Sequence, residues 1–280
     1  MLSRALRMAF WVFYDHLGKL VLANLVWSAA LLGPMLAGVA AFVTGDGFLM
    51  FVITVPAFVL SFGVLVPLFG AGLAYLVKEL IDTGDGSFLD VFRGMGLYWR
   101  RAIGVGVAYV GAVAVLLTSV WFYATRLGST APLLGYAIGG LAVWCLVLVV
   151  LTQMLVMPAL VQKKGGVGAT LKLSALLVLD NLVFCVGLWV YFVMLAALSV
   201  VIPPFGVFFA GAVAVVLSST AYEMLARKYA AIEREKTGAD GGLAGRESSV
   251  VSRGGKLVFD DAKDDYLNRG FGDFWTPWKA

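Results

Sequence analysis

Residues 48–77 read FLMFVITVPAFVLSFGVLVPLFGAGLAYLV and contain no charged side chain. An α-helix needs roughly 20 residues to cross the roughly 30 Å of bilayer hydrocarbon, and this stretch is longer. Its apolar residues are continuous, whereas the strands of an outer-membrane barrel alternate between apolar and polar residues. The stretch therefore predicts a transmembrane α-helix.

Five more stretches of the same kind lie at residues 20–43, 102–123, 131–161, 182–202 and 205–226. Hydrophobic residues form 61% of the chain and charged residues 14%, well below the roughly 25% charged content of soluble domains. The sequence predicts an all-α, polytopic membrane bundle of about six transmembrane helices over residues 1–226. Residues 227–280 are predicted to form a cytoplasmic tail.

The basic residues are distributed unevenly between the two sides of this predicted bundle. All Lys and Arg residues except Arg126 fall before the first span, after an even-numbered span, or in the tail. Cytoplasmic loops retain Lys and Arg, so we expect both termini to be cytoplasmic and the protein to lie in a bacterial inner membrane. The sequence pI of about 9.0 then reflects attraction to the anionic lipid leaflet, and no nucleic-acid partner is expected.

A short amphipathic segment precedes each pair of spans, around residues 2–17, 88–99 and 170–180. Ser87 and Asp90 form a capping-box pattern at the second segment. The sequence Asp180-Asn181-Leu182 is similar to Asp15-His16-Leu17. We therefore predict three repeats, each an interfacial helix followed by a helical hairpin. The alternative is that any loop entering a membrane is amphipathic for a turn or two.

The tail contains a glycine-rich stretch, residues 238–255, which we expect to be flexible. Four aromatic candidates for partner docking follow it: Phe271, Phe274, Trp275 and Trp278. Aromatic side chains on such a segment are favourable only where something buries them. The candidates for that role are the protein's own cytoplasmic face, a membrane-protein partner and the bilayer interface.

Few polar side chains occur in or beside the spans. The candidates for intramembrane polar contacts are Asn24, Gln153, Asp180 and Asn181. Lys172, Arg227 or Lys228 could pair with Asp180 and Glu223. No ionisable residue lies near the middle of a span, which argues against an ion-coupled transporter. No nucleophile, base and metal-ligand set converges, so we expect neither catalysis, nor a cofactor, nor a metal.

Glycine and proline residues predict two further features of the spans, close helix contacts and helix kinks. Gly70 with Gly72 and Gly104 with Gly106 are positions where helices could approach closely. Pro34, Pro56 and Pro67 would kink helices and free backbone carbonyls.

Several short motifs resemble the YesL-like family, bacterial membrane proteins with a domain of unknown function. They are Asn24-Leu25-Val26-Trp27, Leu31-Leu32-Gly33-Pro34, the apolar run ending at Pro67 with Lys78 after it, Phe88-Leu89-Asp90-Val91-Phe92-Arg93, and the closing Phe274-Trp275-Thr276-Pro277-Trp278. The resemblance covers most of residues 1–226. It implies a six-span helical protein, often associated with carbohydrate uptake, without an established activity. The long glycine-rich tail departs from the family pattern.

The leading functional hypothesis is a non-catalytic accessory or scaffold protein, which engages a membrane partner or lipid headgroups through its cytoplasmic side. The alternative is a carrier, channel or transport-associated component for a neutral or weakly polar solute. An intramembrane enzyme ranks third. A homo-oligomer is left open.

Overall fold

A computed structural model describes residues 1–127, 131–237, 250–253, 256–259 and 266–269. Over these residues the chain forms the helices α1 (Leu2–Asp15), α2 (Leu17–Val43), α3 (Gly47–Thr83), α4 (Asp90–Leu127), α5 (Pro132–Gln162), α6 (Val167–Asp180), α7 (Leu182–Val201) and α8 (Pro203–Glu233). Helical structure continues beyond α8 to Thr237.

Six of these helices, α2, α3, α4, α5, α7 and α8, are long and apolar enough to cross a membrane. The predicted multi-pass helical protein is confirmed to that extent. Half of the apolar stretch of α8 is buried inside the protein, against 17% or less in the other five. The last span is therefore the central helix of the bundle. Tyr222, Met224 and Leu225 of α8 belong to the buried core.

The helices α1 and α6 have the same length and end in the same way. Each has 14 residues and is separated from the following span by one non-helical residue. That residue is His16 (φ −118°, ψ 23°) after α1 and Asn181 (φ −129°, ψ 43°) after α6. The helix ends thus fall at the matching positions of Asp15-His16-Leu17 and Asp180-Asn181-Leu182.

The second predicted interfacial helix is not a separate element, and that expectation is wrong. One continuous helix runs from Asp90 to Phe122 before its terminal turn. No proline interrupts this helix. Gly94 packs closely against Tyr75, because a Cβ added at Gly94 would lie 2.6 Å from the Tyr75 Cβ. The predicted interaction at its start is present, because the Ser87 N–H donates to Asp90 Oδ2 at 2.7 Å.

Three of the four predicted glycines lie at close helix contacts, Gly72 and Gly106 between α3 and α4, and Gly104 between α4 and α6. A Cβ at Gly106 would lie 2.3 Å from the Gly63 carbonyl oxygen, and one at Gly72 would lie 2.5 Å from the Val91 carbonyl oxygen. A Cβ at Gly104 would meet Val167 at 2.8 Å. Gly70 has more room, since the nearest atom lies 3.4 Å away.

Turns of π-helix interrupt three spans. They occupy Met50–Thr54 and Val59–Leu65 in α3, Tyr123–Leu127 at the end of α4, and Gly206–Ala210 in α8. Pro56 and Pro67 each follow a π segment of α3 by two residues. Proline lacks the N–H that continues an α-helical ladder, so these sites favour a shifted hydrogen-bond pattern.

The tail contains a short antiparallel pair of strands, β1 (Val250–Arg253) and β2 (Lys256–Phe259). Val250 lies opposite Phe259, and β1 lies beside α8. The strand β1 falls within residues 238–255, the stretch that the glycine content predicts to be flexible.

Candidate functional site

Asn24 connects the first span to the π segment of the last. The side chain is 1% exposed, its Nδ2 donates to the Val207 carbonyl at 2.7 Å, and its Oδ1 accepts from the Ala212 N–H at 2.8 Å. Ser28 donates to the same Val207 carbonyl at 3.0 Å. A π turn shifts backbone hydrogen bonds, and hydrocarbon offers no water to replace them. Asn24 therefore has a structural role as a link between α2 and α8.

Gly211 makes this link possible. A Cβ there would lie 2.4 Å from Asn24 Oδ1 and 2.6 Å from the ring of Trp27. The Trp27 Nε1 is buried and has no hydrogen-bond partner among the described residues. An unpaired buried donor is costly, so the ring of Trp27 is held by packing rather than by its polar atom.

The main feature of the bundle is a central cavity of about 610 Å³. All six spans contribute to its wall, including Trp27 of α2, Val66 of α3, Tyr109 of α4, Gln153 of α5, Trp189 of α7 and Ser218 of α8. Ligand cavities in proteins commonly have volumes of roughly 300–1,000 Å³. The central cavity is therefore large enough to hold a small organic molecule.

Gln153 supplies a free amide to this wall, in addition to the unpaired N–H of Trp27. Its side chain is exposed and hydrogen-bonds to no residue that the structure describes. Gln153 precedes Gln162, the last residue of α5, by nine positions, or about 14 Å at 1.5 Å per residue. An amide at that depth costs free energy unless it finds a partner.

Two other polar groups of the wall, the hydroxyls of Tyr109 and Ser218, are already engaged. The Tyr109 hydroxyl hydrogen-bonds to Thr152 Oγ1 at 2.8 Å, and Ser218 Oγ donates to the Val215 carbonyl at 2.9 Å. The described lining includes no Asp, Glu, Lys, Arg or His. The site can thus hold an uncharged, largely apolar molecule and offer it an amide, but it cannot balance a charge.

Asp180 and Asn181 lie together at the end of α6, away from the cavity lining. Lys228 Nζ donates to Asn181 Oδ1 at 2.6 Å, Asn181 Nδ2 donates to the Tyr229 hydroxyl at 2.7 Å, and that hydroxyl donates to Asp180 Oδ2. The expected pairing of Asp180 with a basic residue is replaced by this bond from Tyr229. Arg227 does pair with Glu223, at 2.9 Å. Sequence reasoning missed Tyr229, which only the packing of α8 against α6 brings to Asp180.

A short part of the tail, Tyr266–Arg269, is docked on the protein itself. Leu267 is 1% exposed, and its carbonyl accepts from Arg7 Nη1 at 3.1 Å. The Tyr266 hydroxyl donates to the Leu80 carbonyl at 3.3 Å. The four predicted docking residues, Phe271, Phe274, Trp275 and Trp278, lie outside the described residues.

Arg269 and His16 complete this docked face. The Arg269 guanidinium lies over the Trp11 ring, 5.6 Å from its centroid, and pairs with Asp15 at 2.5 Å. Burial lowers the pKa of His16 below its usual 6.5; Lys19 and Arg269 lower it further, and Asp15 opposes them. The neutral imidazole is therefore the form that the docked face favours.

Comparison with protein-family models, with curated proteins and with solved structures finds no match. The resemblance to the YesL-like family remains a prediction from short motifs. The functional argument therefore depends on the geometry of the chain itself.

Proposed function

We propose that this protein is a non-catalytic, multi-pass membrane protein that binds a small uncharged molecule in its central cavity, as a carrier or a transport-associated component. The observation that supports this most directly is the unpaired amide of Gln153 on the wall of a cavity lined by all six spans. A bound molecule with one hydrogen-bonding group would satisfy that amide. A fully packed bundle would leave no such space.

The composition of the wall favours one chemical class of ligand. A charged ligand would lose its hydration without gaining a counter-ion, because the described lining has no ionisable side chain other than Tyr109. The apolar lining favours a ligand that is mostly hydrocarbon. One hydroxyl, carbonyl or amide group would bind Gln153. A freely water-soluble sugar fits this wall poorly, so the geometry does not support the carbohydrate role that the resemblance implies.

The same proposal includes an orientation in the bacterial inner membrane with both termini cytoplasmic. The basic residues Lys163, Lys164 and Lys172 and the contacts of Arg7 and Arg269 belong to the same end of the bundle under this orientation. Concentration of Lys and Arg on the cytoplasmic side is the usual determinant of topology. The matching helix ends at Asp15 and Asp180 support a repeat of the first and third units, whereas the continuous α4 makes the middle unit different.

A cavity-directed probe tests the binding function. The probe is a photoreactive diazirine derivative of 1-dodecanol, added to the full-length protein in mild detergent and mapped by peptide mass spectrometry. We expect saturable labelling of peptides that contain Gln153 and Trp189, with competition by 1-dodecanol stronger than by dodecane. Gln153→Leu should weaken the competition about fivefold, as expected for the loss of a hydrogen bond worth about 1 kcal/mol.

Two further variants separate binding in the cavity from adsorption at the lipid-facing surface. Ala196→Trp places a large side chain at the cavity wall and should abolish the saturable labelling. Ser119→Ala is the matched control, because Ser119 is outside the cavity and bonds only to the Val115 carbonyl of its own helix. Labelling that is unaffected by A196W, or equal competition by dodecane, would refute the proposal.

The accessory role is a second candidate, and it is compatible with the first. The docked segment Tyr266–Arg269 favours it, since Phe271, Phe274, Trp275 and Trp278 follow that segment in the chain. Deletion of residues 270–280 keeps the docked residues and removes all four aromatic residues. Loss of a protein that co-purifies with the full chain would support the role; unchanged recovery of every co-purifying protein would dismiss it.

A further inference from the structure

Three lysines surround a second pocket, at the connection between α5 and α6. Lys163, Lys164 and Lys172 line a space of about 230 Å³ together with small and apolar residues. The three side chains are exposed, and the described lining contains no Asp or Glu. Three like charges so close together repel each other, and an anion between them relieves that repulsion.

The backbone at the start of α6 adds to the positive potential of this pocket. The helix begins at Val167 without a side-chain cap, and its first helical hydrogen bond runs from the Thr170 N–H to the Gly166 carbonyl. The preceding amides of the first turn therefore have no partner inside the helix. Free N–H groups and the positive end of the helix dipole both favour a phosphate oxygen.

The loop that carries the lysines is held in place from α4. Arg101 Nη1 donates to the Gly165 carbonyl at 2.7 Å and to the Lys163 carbonyl at 3.4 Å. Its guanidinium also lies 5.0 Å from the ring centroid of Tyr98. Arg101 thus fixes the shape of the loop, while the three lysines stay available to a ligand.

An exposed apolar face continues from the pocket along α6. Lys172, Leu176 and Leu179 recur at helical spacing, so they share one face, and the two leucines are 53% and 58% exposed. Val183, at the start of α7, is 88% exposed. A cationic pocket that continues into an apolar face matches an amphiphile with an anionic head and a hydrocarbon tail.

We propose that this pocket, the lysine pocket, binds the phosphate headgroup of an anionic membrane phospholipid. The phosphate lies between Lys163, Lys164 and Lys172 at the start of α6, and the acyl chains lie along Leu176 and Leu179. A zwitterionic phospholipid binds less well, because its own cation meets the three lysines. The lysine pocket is distinct from the central cavity and does not depend on the function proposed for it.

Native mass spectrometry of the full-length protein tests this assignment, with phosphatidylglycerol as the anionic probe and phosphatidylcholine as the zwitterionic one. We expect phosphatidylglycerol to bind at least tenfold more tightly. The single variant Lys172→Gln should weaken its binding about fivefold, and the triple variant K163Q/K164Q/K172Q more than tenfold. All three lysines are exposed, so these variants should keep the thermal unfolding midpoint of the native protein.

Lys78→Gln is the matched control, since it makes the same charge change at a lysine that pairs with Asp82 at 3.3 Å outside the pocket. Phosphatidylglycerol binding to K78Q should equal that of the native protein. Equal retention of the two lipids, or equal losses in K78Q and K172Q, would overturn the proposal. Displacement of phosphatidylglycerol by millimolar inorganic phosphate would also overturn it, because the site would then take free phosphate and not a lipid.

Discussion

Arg269 and Asp15 form an ion pair with 2.5 Å between Nη1 and Oδ2, although 254 positions separate them in the chain. Both side chains are largely buried, with 26% and 25% of their surface exposed. Two residues in contact must lie on the same side of a bilayer, so an even number of crossings separates them. Six spans between α1 and the tail satisfy that requirement, whereas five or seven would not.

The docking of Tyr266–Arg269 depends on burial of Leu267, so Leu267→Asp should release it. A carboxylate at a position that is 1% exposed would lose its hydration without gaining a hydrogen-bond or ion-pair partner. We expect the amides of residues 266–269 to exchange with deuterium at least tenfold faster in L267D. Asn268→Asp adds the same charge at the exposed neighbouring position and should leave exchange nearly unchanged. Equal protection in both variants would show that Leu267 does not anchor the segment.

The link between α2 and α8 predicts a stability loss for Asn24→Leu. This variant leaves the Ala212 N–H without its side-chain partner inside the membrane and leaves the Val207 carbonyl with Ser28 as its one remaining side-chain donor. We expect the free energy of unfolding in a detergent titration to fall by about 1–3 kcal/mol. Ser28→Ala removes only one bond to Val207 and should cost less than about 1 kcal/mol. A smaller effect of N24L than of S28A would contradict the link.

The close approach of α3 and α4 predicts a difference between two glycines of the same helix. Gly106→Ala places a methyl group 2.3 Å from the Gly63 carbonyl oxygen, and backbone there cannot move without separating the helices. Gly111→Ala meets nothing within 4 Å. We expect G106A to lower the thermal unfolding midpoint clearly, while G111A leaves it the same or slightly higher. Equal midpoints would show that α3 and α4 do not pack as described.

The pKa of His16, the only histidine in the chain, reports on the electrostatic environment of the docked face. Its pKa is lowered by burial, Lys19 and Arg269, so the folded state binds a proton less readily than the unfolded state. Stability is therefore retained above pH 6.5 and falls as the pH decreases from 6.5 through the folded-state pKa. Nuclear magnetic resonance of the imidazole should give a midpoint below 6.5, and Arg269→Gln should raise it. A midpoint above 6.5 would contradict this electrostatic environment.

The spans were predictable from composition because hydrocarbon excludes charge from long helices, and all six appear in the structure. The contacts of Asn24 were not predictable. They depend on a π segment at Gly206–Ala210 and on the missing side chain of Gly211, which lie far away in sequence. Likewise, an apolar run does not reveal which of its residues line a cavity. The sequence could therefore identify Gln153 as a polar residue within a span, but could not place it on the wall of the central cavity.

The three amphipathic segments differ in whether they form a helix separate from the span that follows. The first and third segments form separate helices that end before His16 and Asn181, whereas the segment before the third span continues into it as α4. The degree of amphipathicity does not separate the two situations, because α1 is strongly amphipathic and α6 only weakly so. The difference lies in whether the backbone leaves the helical conformation at one residue, which the sequence pattern alone does not specify.

The most direct test of the central claim is a crystal structure of the full-length protein purified in mild detergent from its native membranes. The proposal predicts density for a non-protein molecule between Trp27, Gln153 and Trp189, with a polar atom within hydrogen-bond distance of the Gln153 amide. Side chains of the six spans that close this space and leave no room for a ligand would contradict it.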